Sequence, residues 1–181
     1  PDGSGRKTIA KMVATMFDMV TVISYTTRPP RHYETDGEDY HFVSEEQFKK
    51  MEANGEFLES VEIDGFYYGI REEDIVKAFE NNNLVYLTLN PEGTEKLKQM
   101  YGDKVMRFFI YADRETVLER QRLRQDSEED IKRHMSHYDE IMAYKDKWEH
   151  VFENFDSPQV SYQVSEVIEA FLERDIIITD Y

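Results

Sequence analysis

Apolar and polar positions alternate along this chain in two rhythms, one of period two and one near 3.6, and the switches between them mark out the elements. Short runs rich in β-branched and aromatic residues predict strands over Met19–Tyr25, Tyr40–Val43, Leu84–Leu89, Val105–Tyr111 and Trp148–Glu153. Phe57–Ile63 and Phe66–Ile70 alternate around Asp64-Gly65, the signature of a hairpin with a two-residue turn. Helical spacing is expected over Ile9–Phe17, Glu45–Asn54 with Gly55 as its stop, Glu72–Asn81, and Pro91–Met100 with proline in the first turn. It is expected again over Glu115–Arg124, Ser127–Lys147 and Ser165–Arg174, where Ser127-Glu128-Glu129-Asp130 has the form of a capping box. Strands separated by helices predict an α/β fold, a parallel sheet flanked by helices. The strand-dense stretch near residues 32–70 reads as an inserted β lobe.

Composition narrows the function. The 181 residues suit one domain able to bury a core. Cysteine is absent, which removes disulfides and thiolate metal sites. No apolar run reaches the roughly 20 residues that span a bilayer, so a cytoplasmic protein without membrane contact is expected. Thirty-eight acidic residues outweigh 22 basic ones, a net charge of −16 that opposes nucleic-acid binding. A phosphate ligand would therefore need a local gathering of cations.

Ser24-Tyr25-Thr26-Thr27-Arg28-Pro29-Pro30-Arg31 supplies such a gathering, with two guanidiniums three residues apart in a loop stiffened by proline. Arginine pairs bidentately with phosphate oxygens. Ahead of it, Pro1-Asp2-Gly3-Ser4-Gly5-Arg6-Lys7-Thr8 reads as a phosphate-binding loop opening a helix, and a buried strand with one further glycine is expected before Pro1. The histidines show no ligand spacing, so no zinc site is expected.

Ser24 to Arg31, Glu38 to Val43, Gly55 to Glu59 and Tyr67-Tyr68-Gly69 together resemble the guanylate kinase family, and the similarity runs over nearly the whole chain. The resemblance implies a phosphotransferase that moves phosphate from ATP to GMP with Mg²⁺ bridging. It implies one domain with a core of 1–31 and 71–181, an acceptor lobe near 32–70 and a helical lid near 120–135. It assigns the GMP phosphate to Ser24, Arg28, Arg31, Tyr40 and Tyr68, and the guanine edge to Glu59 with Asn90. It assigns ATP to Gly3, Ser4, Gly5, Arg6, Lys7 and Thr8, with Thr8 toward the metal and Asn154 near the adenine. Transition-state charge falls to Arg124 and Arg133, with Arg120 also matching and Arg122 as readily a surface residue.

The chain departs from the family pattern in the lid, which lacks the usual Gly-Arg-Gly-Thr and has His134 where an Arg is common, and at four further positions. Arg6 stands where the loop lysine stands, Ile70 where a Ser or Thr reads the guanine carbonyl, and Thr88 and Asn90 where an Asp-x-Asp pair ends a strand. Three readings stay open on these grounds: an ATP:GMP kinase of reduced activity, a catalytically silent module binding GMP or a phosphorylated partner, and a kinase for another nucleoside monophosphate. The chain would act as a monomer or homodimer.

Overall fold

The computed structural model describes residues 1–178, and the side chains of residues 1–173. Two compact units emerge, one of Pro1–Phe17 with the segment from Met106 onward, the other of Asp18–Val105. The first unit opens with α1 (Arg6–Phe17). The second contributes β1 (Val20–Thr21), β2 (Tyr25–Thr26), β3 (His41–Phe42), α2 (Glu45–Ala53), β4 (Phe57–Ile63), β5 (Phe66–Arg71), α3 (Glu72–Glu80), β6 (Val85–Tyr86) and α4 (Pro91–Tyr101). The first resumes with β7 (Phe108–Tyr111), α5 (Arg114–Leu123), α6 (Glu128–Ser136), α7 (Tyr138–Met142), β8 (His150–Glu153) and α8 (Ser157–Ile178).

The α/β architecture holds. In the first unit β7 and β8 pair in parallel, Phe108 opposite His150, and helices α5 to α7 fill the crossover. Helix α1 packs along α8. A core of Ala112, Val117 and Tyr138 is closed by Met135 and Met142, and the Tyr138 hydroxyl donates to the Ala112 carbonyl at 2.8 Å. That bond satisfies the one polar atom a tyrosine brings into a core.

In the second unit β1 and β6 pair in parallel, and β3-β2-β5-β4 form a mixed sheet. The β4–β5 hairpin turns where expected, with Asp64 at φ 54 and Gly65 at φ 77, the left-handed pair that such a turn demands. Val22, Ile70, Ile75 and Leu97 form this unit's core, and Phe48 stacks on Phe57 at 4.4 Å.

Several boundaries differ from the sequence expectation. Met19–Tyr25 divides into β1 and β2, which join different sheets, and Leu84–Leu89 pairs only at Val85 and Tyr86. The expected long helix Ser127–Lys147 breaks at His137 into α6, α7 and a 3-10 turn, Lys145–Lys147. The Ser127 hydroxyl accepts the Asp130 N–H at 3.1 Å, but it also donates to the Asp130 carboxylate, so only half of the capping box forms. Helix α8 starts at Ser157, eight residues earlier than expected, because the Asp156 carboxylate caps the Gln159 N–H and Pro158 sits in the first turn.

Candidate nucleotide site

The glycine-rich segment of the first unit is shaped by what surrounds it. Gly3 and Gly5 take φ +83 and +84, a region L side chains rarely enter. A Cβ on Gly5 would stand 2.3 Å from the Asn154 amide nitrogen. Asn154, 1% exposed, donates that nitrogen to the Ser4 carbonyl at 2.7 Å and accepts the Ser157 hydroxyl at 3.2 Å. Its amide thus braces the loop. Helix α1 begins at Arg6, with Arg6 and Lys7 half-buried and Thr8 exposed in its first turn. The backbone N–H groups of such a turn favour anions. Ser4 is fully buried, and its hydroxyl has no hydrogen-bond partner.

Two arginines of the expected lid, Arg124 and Arg133, are engaged with acids of their own unit. Arg124 bonds the Asp126 carboxylate through Nε at 3.0 Å and reaches Asp2 Oδ2 at 3.1 Å through Nη2. His134 Nδ1 lies 3.1 Å from the same Asp2 oxygen and 2.9 Å from Gln121 Oε1. Arg133 pairs with Asp130 one turn back, and Arg122 is exposed. Arg120 donates Nη2 to the Asn154 carbonyl at 2.8 Å, while its buried Nη1 has no partner. Asp2, Asp126 and His134 lie close enough for a metal site, yet Arg124 already pairs with both acids.

In the second unit the proline loop gathers its two guanidiniums. Arg28, 6% exposed, donates Nη1 to the Pro29 carbonyl at 2.7 Å and Nη2 to both oxygens of Glu34 at 2.8 Å. Arg31 brings its backbone N–H to Glu34 Oε2 at 2.8 Å and its Nη1 to within 3.6 Å of Oε1. Both heads therefore converge on one anion. Sequence reading missed Glu34, since a single acid in a polar loop gives no periodic signal. It also missed Thr26, fully buried on β2, whose hydroxyl accepts the Arg28 N–H at 3.2 Å. Tyr40 and Tyr68 lie with ring centres 6.1 Å apart, and the Arg28 guanidinium sits 5.6 Å from the Tyr40 centroid. Burial pushes the Tyr68 phenol up, against the pull of Arg28. Ser24 is half-buried at the same sheet, where its carbonyl accepts the His41 N–H.

Glu59 stands on β4, 9% exposed, and accepts no hydrogen bond among the described residues. Burial raises its carboxyl above the usual range, only partly offset by Lys96. An acceptor-only group buried without a donor is poorly placed for folding and well placed for a ligand's N–H groups. Beside it, Asn90 caps α4, its Oδ1 accepting the Gly93 N–H at 2.7 Å. Ile70, 1% exposed, turns its side chain into the core. Thr88 is half-buried.

Comparison with known proteins gives a consistent answer. The family model "Guanylate kinase" matches residues 1–171. A guanylate kinase of Caldanaerobacter subterraneus is 35% identical over 93% of this chain and 82% of its own length. One from Nitrosococcus oceani is 38% identical over 78% of this chain and 74% of its own. The crystal structure of guanylate kinase from Anaplasma phagocytophilum, 24% identical, superposes with a TM-score of 0.72 over 91% of this chain and 80% of that one.

Proposed function

The chain belongs to the guanylate kinase family, and we propose how its residues divide the family's work of transferring phosphate from ATP to GMP. The acceptor phosphate is held by Arg28 and Arg31, with the Tyr40 and Tyr68 phenols and Ser24 as further donors. One observation carries this reading. Arg28 and Arg31 already converge on a single carboxylate, that of Glu34, so the loop is preorganised for an anion. Glu59 and Asn90 meet the base.

The donor phosphates are assigned to Gly3, Ser4, Gly5, Arg6, Lys7 and Thr8. The positive φ of the two glycines and the N-terminus of α1 support this, and Asn154 serves by bracing the loop. Kinases of this family use ATP with a divalent cation. We assign Mg²⁺, which the exposed Thr8 hydroxyl would help to hold. The cation supplies charge neutralisation when bound. The chain's own part is positioning: an oxygen of the GMP phosphate attacks the γ-phosphorus of ATP in line, and ADP leaves. Arg124 and Arg133 are assigned the charge that develops in transfer, which requires each to release a carboxylate. Arg120, with its buried Nη1 unpartnered, supports a third place in that set.

We take 1–181 as one guanylate kinase-like domain, with the acceptor lobe at about 32–70 and the lid at about 120–135. A cytoplasmic setting suits an enzyme fed by ATP and GMP. ADP release measured with GMP, dGMP, AMP and UMP tests the reading. Turnover with GMP and dGMP alone is expected. Binding of GMP with no turnover for any acceptor would overturn the kinase and leave a binding module.

A further inference from the structure

Arg124 closes α5, and the two residues after it turn back over the helix. Gln125, at φ 60, donates its N–H to the Arg122 carbonyl at 2.9 Å, and Asp126 donates its own to the Gln121 carbonyl at 3.1 Å. These are the paired bonds of a Schellman turn, with glutamine in the left-handed position that glycine prefers. The turn lays the Asp126 carboxylate on the guanidinium it follows, and the Asp126 side chain is wholly buried there. Arg124 Nη2 extends beyond it to Asp2 Oδ2 at 3.1 Å.

Asp2 belongs to the glycine-rich loop, and that loop lies directly against α5. A Cβ on Gly3 would meet the Val117 carbonyl at 3.0 Å and Gln121 Cγ at 3.3 Å. Gln121 is fully buried, and its Nε2 faces the Asp2 carbonyl at 3.4 Å and the Met135 sulfur at 3.8 Å. Both are acceptors, which orients the amide and turns Oε1 toward His134 Nδ1 at 2.9 Å. The same Nδ1 lies 3.1 Å from Asp2 Oδ2. A ring nitrogen between two acceptors carries a proton, so His134 is a donor to the Asp2 carboxylate. Asp2 thus joins the donor loop to Arg124 at the end of α5 and to His134 on α6.

A carboxylate on the edge of a guanidinium occupies the place a phosphate oxygen would take. Of the two acids on Arg124, Asp126 is sealed in by the turn, whereas the Asp2 side chain is 27% exposed. Asp2 is therefore the partner that a ligand can displace. We propose that Asp2 is a positioning residue that latches Arg124 beside the donor loop, its carboxylate standing in for a phosphate oxygen until the γ-phosphate of ATP takes its place on Nη2. The proposal rests on the assignment of Arg124 to the transferred phosphate and adds what holds that arginine beforehand. Because the two anions compete for one donor, the latch lowers the affinity for ATP while keeping Arg124 at hand.

The test titrates ATP and ADP, each with Mg²⁺, into the unaltered protein, Asp2→Asn, Arg124→Gln and the double variant. Asp2→Asn should bind ATP about tenfold more tightly, the worth of one charge-assisted hydrogen bond, and ADP within about twofold of the unaltered protein. In the Arg124→Gln background Asp2→Asn should change ATP affinity by less than about twofold. An equal gain for ATP and ADP, or a gain that survives without Arg124, would mean plain relief of repulsion in the loop and overturns the latch. ATP affinity unchanged or weakened in Asp2→Asn also overturns it. Should Asp2→Asn not fold, Asp2→Ser is read in the same way, and failure of both to fold would make Asp2 a structural residue and end the proposal. Absence of ATP binding to the unaltered protein would instead overturn the donor reading itself.

Discussion

Arg28 holds both oxygens of the Glu34 carboxylate at 2.8 Å, from a side chain 6% exposed onto one 2% exposed. Removing one partner of so buried a pair leaves an uncompensated charge, which typically costs about 3–5 kcal/mol. Glu34→Ala should therefore lower the thermal midpoint markedly, with two guanidiniums left facing each other. Inorganic phosphate should restore part of the loss in that variant and do less for the unaltered protein. Equal effects of phosphate on both would count against an anion site between Arg28 and Arg31.

Gly5 tests the donor loop. Its φ of +84 and the 2.3 Å approach of the Asn154 amide leave no place for a Cβ. Gly5→Ala should destabilise the protein by more than about 1 kcal/mol and weaken ATP binding. Gly37→Ala, at φ +79 with nothing within 4 Å, shares the backbone strain without the clash. It should leave ATP binding intact.

Glu59 links stability to pH. Burial raises its folded-state pKa above 4.5, so the ionised form is penalised in the fold. The penalty is absent below the unfolded-state pKa and grows as pH rises through the folded one. Glu59→Gln should accordingly raise the melting temperature at pH 7 and leave it unchanged near pH 4, while GMP affinity falls. In the unaltered protein GMP affinity should decline on acidification before ordinary carboxylates titrate. A melting temperature lowered by Glu59→Gln at pH 7 would contradict this.

Arg6 is the departure nearest the chemistry. A compact ammonium suits a tight phosphate loop better than a flat guanidinium. Arg6→Lys should raise kcat for GMP by about tenfold, equivalent to about 1.4 kcal/mol of barrier. A kcat that falls would mean that the loop is built around arginine.

Much of the architecture was legible from local chemistry. Asp64-Gly65 placed the hairpin, and Ser127 and Pro91 placed two helix starts, because each acts through its own backbone. Asp156-Ser157-Pro158 carried the same kind of signal for α8 and was overlooked. The break at His137 had no glycine or proline to announce it. It follows instead from packing, where Tyr138 turns inward to bond Ala112 across 26 residues. The phosphate clamp was legible as two arginines in a stiff loop, but Glu34 and Thr26, which hold them, were not. Arg124 and Arg133 were read as lid cations; the Arg133–Asp130 pair is an i,i+3 contact that helical spacing encodes, whereas the pairing of Arg124 with Asp126 and Asp2 depends on loop and long-range contacts that spacing does not. Ile70, which stands where the family pattern has a base-contacting Ser or Thr, lies in the core.

The most direct measurement is the affinity of Arg28→Ala for GMP, set beside its affinity for guanosine, which lacks the phosphate. Charge-assisted bonds contribute about 1.5–3 kcal/mol each, so GMP binding should fall at least about tenfold while guanosine binding stays as it was. Unchanged GMP affinity in this variant would show that the acceptor phosphate is held elsewhere.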